Sequence, residues 1–114
     1  MSRHKYLLPI AAALAFATVA VPAARAEDPS FGLTIKNHKF EPVTVEVPAG
    51  KRFKLVVHNA DSTPEEFESH QLKREKVIPG GGKATILIGP LKPGTYKFVG
   101  EFHEDTAKGN IVAK

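Results

Sequence analysis

The chain has 114 residues, with 16 lysines and arginines against 12 acids, five histidines and no cysteine. Without cysteine there is no disulfide framework, and no thiolate to act as nucleophile or metal ligand. The formal charge of +4 would invite a polyanionic partner, but most of that excess lies in the first 26 residues.

Those residues, 1–26, read as a secretory signal. Arg3, His4 and Lys5 precede an apolar run from Leu7 to Val21, and Ala24-Arg25-Ala26 supplies the small residues of a cleavage site before Glu27. The run falls short of the roughly 20 residues a membrane-spanning helix needs, and Pro9 and Pro22 bracket it. Cleavage would leave residues 27–114, enough for one small domain. It would remove Arg3, Lys5 and Arg25 but no acid, so 13 basic residues would face 12 acidic ones. Nucleic acid is therefore not an expected partner.

From Phe31 onward the pattern has period two. Phe31, Leu33 and Ile35 alternate with polar or small residues, as do Val43, Val45 and Val47. Pro48-Ala-Gly-Lys51 is a turn, and Phe53, Leu55 and Val57 open a third alternation before the polar loop from Asn59 to Pro64. Phe67 to Leu72 predicts a short strand. Lys73-Arg-Glu-Lys76 reads as a charged, solvated edge that discourages strand addition. After Pro79-Gly-Gly-Gly82 come Ala84, Ile86 and Ile88, then Tyr96 and Phe98, then a last strand from Asn110 to Lys114. No stretch carries a 3.6-residue apolar repeat. Short strands between closely spaced turns predict an all-β Greek-key sandwich or barrel. Tyr96, just after Pro93-Gly94, suits a tyrosine corner that bonds back to upstream backbone.

Phe40-Glu-Pro42, Val45-Glu-Val-Pro-Ala-Gly50, Phe53 to Asn59 and Gly94-Thr-Tyr-Lys-Phe98 together resemble the cupredoxins over residues 31–114. That resemblance implies a metal site at one end of the sandwich. Carried over position by position, Glu65 stands where the family has its first histidine, Gly100 where it has cysteine, and His103 where it has the second histidine. Ala107 lies near the expected methionine. A blue-copper electron-transfer centre needs the cysteine thiolate, so its absence excludes one here. Gly100 in the cysteine position leaves room that a glutamate, longer than histidine, can reach across.

Six acids, Glu65, Glu66, Glu68, Glu101, Glu104 and Asp105, fall in two short stretches without lysine or arginine. Bringing these stretches together costs repulsion unless a cation or protons intervene. The expected metal ligands are His103 and Glu66, then Glu101 and Glu65, with Glu68 and Glu104 behind them. Alternation sets a limit, because Glu66 and Glu68 must point to the opposite side from Phe67. Carboxylates with imidazole suit Fe(III), Mn(II), Zn(II) or Cu(II). Pro64-Glu-Glu-Phe-Glu68 and Gly100-Glu-Phe-His103 resemble in particular the cysteine-free cupredoxins of bacterial iron uptake. The resemblance implies a periplasmic carrier of iron or copper, with an iron permease of the Ftr1 type or another uptake component as its partner. The alternative is a β-sandwich interaction module with a degenerate metal site. An enzyme is not expected, because the sequence offers neither a catalytic triad nor a phosphate loop. His38, His58 and His70 are expected at the surface.

Overall fold

Alternating apolar residues become strands because each alternation buries one face and leaves the other to water. A computed structural model describes residues 27–114, so the expected signal at 1–26 lies outside the described residues. Among the described residues the strands are β1 (Ser30–Lys36), β2 (Lys39–Glu41), β3 (Thr44–Val47), β4 (Phe53–Asn59), β5 (Glu65–Ser69), β6 (Arg74–Ile78), β7 (Lys83–Ile88), β8 (Gly94–Gly100) and β9 (Lys108–Ala113). One 3₁₀ turn, Glu101–His103, follows β8.

The strands form two mixed sheets, ordered β2-β1-β4-β7 and β3-β9-β8-β5-β6. The pairs β1/β4 and β3/β9 are parallel and the other pairs antiparallel, as expected for a Greek-key sandwich. Leu33, Ile35, Phe53, Leu55, Val57, Ile86 and Ile88 of the first sheet face Val45, Phe67, Ile78, Phe98 and Ile111 of the second. Phe40, Phe67 and Phe98 close the core toward the site, with ring centroids 4.9 to 6.4 Å apart. Phe40 meets the other two edge-to-face while Phe67 and Phe98 are tilted by 33°, and aromatic contacts of this kind add about 0.5–1.5 kcal/mol per pair beyond burial. Tyr96 donates its hydroxyl to the Lys92 carbonyl at 2.7 Å, so the tyrosine corner is present.

Several strands differ from the sequence expectation: Lys39–Glu41 forms a short strand of its own, Val43 is exposed and precedes β3, and the last strand runs Lys108–Ala113 rather than Asn110 to Lys114. The fifth spans Glu65–Ser69 rather than Phe67 to Leu72, and it begins earlier because the Glu65 side chain is itself buried. Arg74–Ile78 forms a strand that the charged run concealed. As the outer member of its sheet it buries only Ile78, so alternation leaves almost no mark on it.

Candidate metal centre

The site is built at the end of the sandwich where β4, β5 and β8 deliver their loops. Asn59 ends β4 fully buried, and its side chain scaffolds the loop beyond it. Its amide donates to the Thr63 carbonyl at 2.8 Å and the Ile78 carbonyl at 3.1 Å, and its oxygen accepts the Asp61 N–H at 3.0 Å. Asp61, thus fixed, accepts the backbone N–H groups of Asn37 at 2.7 Å and His38 at 2.9 Å. Those two residues form the β1–β2 hairpin turn, both with positive φ (53° and 57°), as a two-residue type I′ turn requires. The Asp61 carboxyl is held below its ordinary value, chiefly by the His38 N–H and then by that of Asn37.

The clamped turn lays the His38 ring flat on His103, with centroids 3.5 Å apart and planes 11° from parallel. Thr106 fastens the stack by donating its hydroxyl to the His38 carbonyl at 2.6 Å. An imidazole binds metal through an in-plane lone pair. Rings stacked in parallel aim those lone pairs into separate planes, so His38 and His103 do not share one ion in this arrangement.

Beneath the stack, His103 Nδ1 meets Glu65 Oε2 at 2.5 Å. With Glu65 ionised, its oxygens only accept, so Nδ1 carries the hydrogen. Glu65 Oε1 accepts the N–H of Phe102 at 2.8 Å and of Glu66 at 3.0 Å. The carboxylate, with its side chain 2% exposed, is therefore satisfied by protein donors alone. It occupies the room opened by Gly100. A Cβ at that position would lie 2.7 Å from the Ala107 Cβ and 2.8 Å from the Glu65 Cδ. The expectation that glutamate reaches across Gly100 is met, and a buried carboxylate fills the place where the resemblance puts a thiolate.

The other expected ligands lie on the far side of the same sheet. Phe67 pairs with Gly100 and Glu68 with Val99, so Glu66 and Glu68 project outward from β5. Glu101, just past the end of β8, turns to the same outer face. One carboxylate oxygen each from Glu66, Glu68 and Glu101 can be chosen within 4.8 Å of the others. Among the described residues no lysine or arginine forms an ion pair with them. The neighbour is His70, 3.3 Å from Glu68. A hydrogen bond to Glu101, then burial and the charges of Glu101, Glu75 and Glu68, push Glu66 up to about 7. Glu68 is raised by its own hydrogen bond to Glu101, and Glu101, which accepts both, is lowered.

The four leading candidates thus separate into two pairs. Glu65 and His103 close on each other inside the sandwich, while Glu66 and Glu101 join Glu68 outside it. Glu104 is exposed on the loop after the 3₁₀ turn and belongs to neither group. The functional residues that the sequence concealed are His38, Asn59, Asp61 and Thr106. An available signal was the break in alternation at Asn37-His38, between apolar Ile35 and Phe40, which marks a two-residue turn.

The donor sets differ in what they fit. The inner position lacks sulfur and is already filled by a hydrogen-bonded pair, which does not fit a blue-copper centre. The outer trio offers oxygen donors and excess negative charge, which fit a hard cation.

A family model described as the cupredoxin-like domain matches residues 9–113. An uncharacterised protein of Rickettsia prowazekii (strain Madrid E) is 52% identical over 80 residues, covering 70% of this chain and 64% of its own length. The chain thus spans less than two thirds of that relative. Among solved structures, the metal-binding domain of the Cu(I)-exporting P-type ATPase CopA of Streptococcus pneumoniae D39, with Cu(I), superposes with a TM-score of 0.67 at 14% identity, over 75% of this chain and 84% of that one. The blue copper protein auracyanin A of Chloroflexus aurantiacus gives 0.65 at 11% identity, over 77% and 100%. A purple cupredoxin from Nitrosopumilus maritimus gives 0.58 at 19% identity, over 73% and 98%. At such identities these structures are alike in fold.

Proposed function

Because the chain belongs to the cupredoxin-like domain family, we propose that it is an exported, periplasmic metal-binding protein that carries iron, or else copper, to a membrane iron permease, with no enzymatic activity of its own. The observation that carries this reading is the outer trio of Glu66, Glu68 and Glu101, convergent within 4.8 Å and free of lysine or arginine partners among the described residues. When bound, a hard cation would supply the positive charge that offsets their repulsion. Glu66, Glu68 and Glu101 would hold it, with His70 available beside Glu68. An open carboxylate face suits a carrier, since cargo must leave as well as arrive. The pneumococcal domain and the purple and blue cupredoxins keep copper as the second candidate cargo.

The inner pair has another task in this scheme. The Glu65–His103 bond holds the 3₁₀ turn against β5 and thereby places Glu101 next to Glu66 and Glu68. The bond from the Phe102 N–H to Glu65 Oε1 shares that task, so the turn and Glu101 keep their place when only the His103 contact is weakened.

The test is equilibrium binding of Fe(III), Mn(II), Zn(II) and Cu(II) to residues 27–114. Saturable binding is expected, lost in the variant combining Glu66→Gln and Glu101→Gln and retained in His103→Gln. Failure of the parent protein to bind any of these ions would end the carrier reading. The second reading, an interaction module, draws on the inner pair having closed the buried position and on Phe102, half exposed beside it. It would then be preferred.

A further inference from the structure

The two sheets divide the outward-facing charge between them, although the totals are nearly balanced. On the outer face of β2-β1-β4-β7, strand parity and register place Lys36, Lys39, Lys54 and Lys83 with a single strand acid, Glu41. On the outer face of β3-β9-β8-β5-β6, Glu66, Glu68, Glu75 and Glu101 outnumber Lys97 and Lys108, and Glu46 is paired with Lys114 at 2.9 Å. One sheet is cationic and its partner anionic, so the domain carries a dipole across its thickness. At the rim of the cationic face Asp28 is engaged by Arg52 at 2.9 Å and does not neutralise the lysines.

Three details say what this face fits. Lys36 and Lys39 stand directly opposite each other across the β1–β2 hairpin, an arrangement that costs stability unless an anion lies over it. The lysines sit around the perimeter, while the centre is small or apolar: Gly32 pairs with Val56, and Val56 with Thr85. A Cβ added at Gly32 would meet nothing within 4 Å, so the centre is shallow and open. Leu87, beside Lys54 in the register, is 45% exposed on the same face. A broad surface with cations at its border and an exposed aliphatic chain matches an anionic lipid surface, where lysines meet headgroups and the apolar chain enters the interface.

We propose that the outer face of the four-stranded sheet docks on anionic phospholipid, turning the carboxylate face away from the membrane. The orientation follows from the dipole alone: the anionic sheet is repelled by the surface that attracts its partner. Docking needs no bound metal, so this inference and the carrier reading fail separately.

The probe is metal-free protein, residues 27–114, sedimented with vesicles of phosphatidylcholine alone or with phosphatidylglycerol added. Binding is expected only to the anionic vesicles and is expected to fall as salt rises. At about fivefold per lysine, Lys36→Glu with Lys83→Glu lowers affinity by about 25-fold or more. Lys97→Glu with Lys108→Glu makes the same change in net charge on the opposite sheet and leaves affinity intact or weakens it far less. Lys36→Glu alone replaces a repulsive pair by an attractive one, so its melting temperature rises while its vesicle affinity falls. A merely destabilising substitution does not give that combination. The proposal is overturned if the parent protein ignores anionic vesicles at low salt, or if the two double variants lose affinity equally. It is also overturned if vesicles are ignored and the protein instead self-associates in equilibrium sedimentation through the same lysines, making the anionic face of a second copy the occupant.

Discussion

The inner pair makes a demanding test of how the site is held, and Glu65 is the residue to change. In Glu65→Gln the amide oxygen still accepts from the Phe102 and Glu66 N–H groups, now 2.8 and 3.0 Å from Oε1. The atom facing His103 becomes an NH2, a donor in place of a charged acceptor, so the imidazole must present Nδ1 as an acceptor if a neutral bond is to replace the charged one. Hydrogen bonds to charged groups contribute about 1.5–3 kcal/mol against about 0.5–1.5 for neutral ones, so the substitution costs about 1–2 kcal/mol. Glu65→Ala goes further, leaving two backbone N–H groups and the imidazole without partners at a side chain only 2% exposed. Breaking a buried pair in this way costs about 3–5 kcal/mol. For a domain of this size each kcal/mol moves the melting temperature by about 4–8 °C. Thermal melts followed by circular dichroism at neutral pH should therefore show a modest drop for glutamine and one of at least about 12 °C for alanine. Cation affinity at temperatures where both proteins are folded should be unchanged in Glu65→Gln. Were that variant to melt with the parent protein, the buried bond would not be holding the turn. Were it to remain folded but lose cation binding, the ion would sit inside, and the assignment to the outer carboxylates would be wrong.

Three further outcomes follow from the same geometry. Cation affinity should rise by about tenfold per pH unit below pH 7 and level off above it, because the ion must displace the proton that Glu66 holds up to about 7; a flat titration from pH 5 to 8 would remove Glu66 from the ligand set. In the metal-free protein the same raised value works in the opposite direction. Glu66 binds its proton more tightly folded than unfolded, so its contribution favours the fold below the ordinary glutamate range and is lost as pH climbs toward about 7. Asp61 has the converse sign: its lowered pKa stabilises the fold above the ordinary aspartate range, and that contribution is lost as pH falls through the depressed value. Asp61→Ala should cost about 1–3 kcal/mol at neutral pH and flatten the acid limb of a stability–pH profile. Gly100→Ala should destabilise by about 1–3 kcal/mol, since its methyl would intrude on Ala107 and on the Glu65 carboxyl at 2.7–2.8 Å; an unchanged denaturation midpoint would show that the Glu65 side chain has room to retreat.

The alternations at Leu33–Ile35, Val45–Val47, Leu55–Val57 and Ile86–Ile88 were enough to establish a β-sandwich, because burial of every second side chain is a local property that the sequence states directly. The missing cysteine likewise ruled out a thiolate centre before any fold was known. Parity even foretold that Glu66 and Glu68 oppose Phe67. It did not tell which of the neighbouring acids would be buried. Glu65 carries as polar a side chain as Glu66, and only the space above Gly100 with the donors of His103, Phe102 and Glu66 makes its burial tolerable. His38 was no more legible, since it is 65 positions from the ring it covers and is brought there by Asp61 from a third loop. Side-chain identity and spacing decide which residues turn inward along a strand, while the partners that satisfy a buried charge come from segments far apart in the chain. The division of charge between the two sheets has the same origin, for it depends on strand order and crossovers, and those exist only once the sandwich has closed.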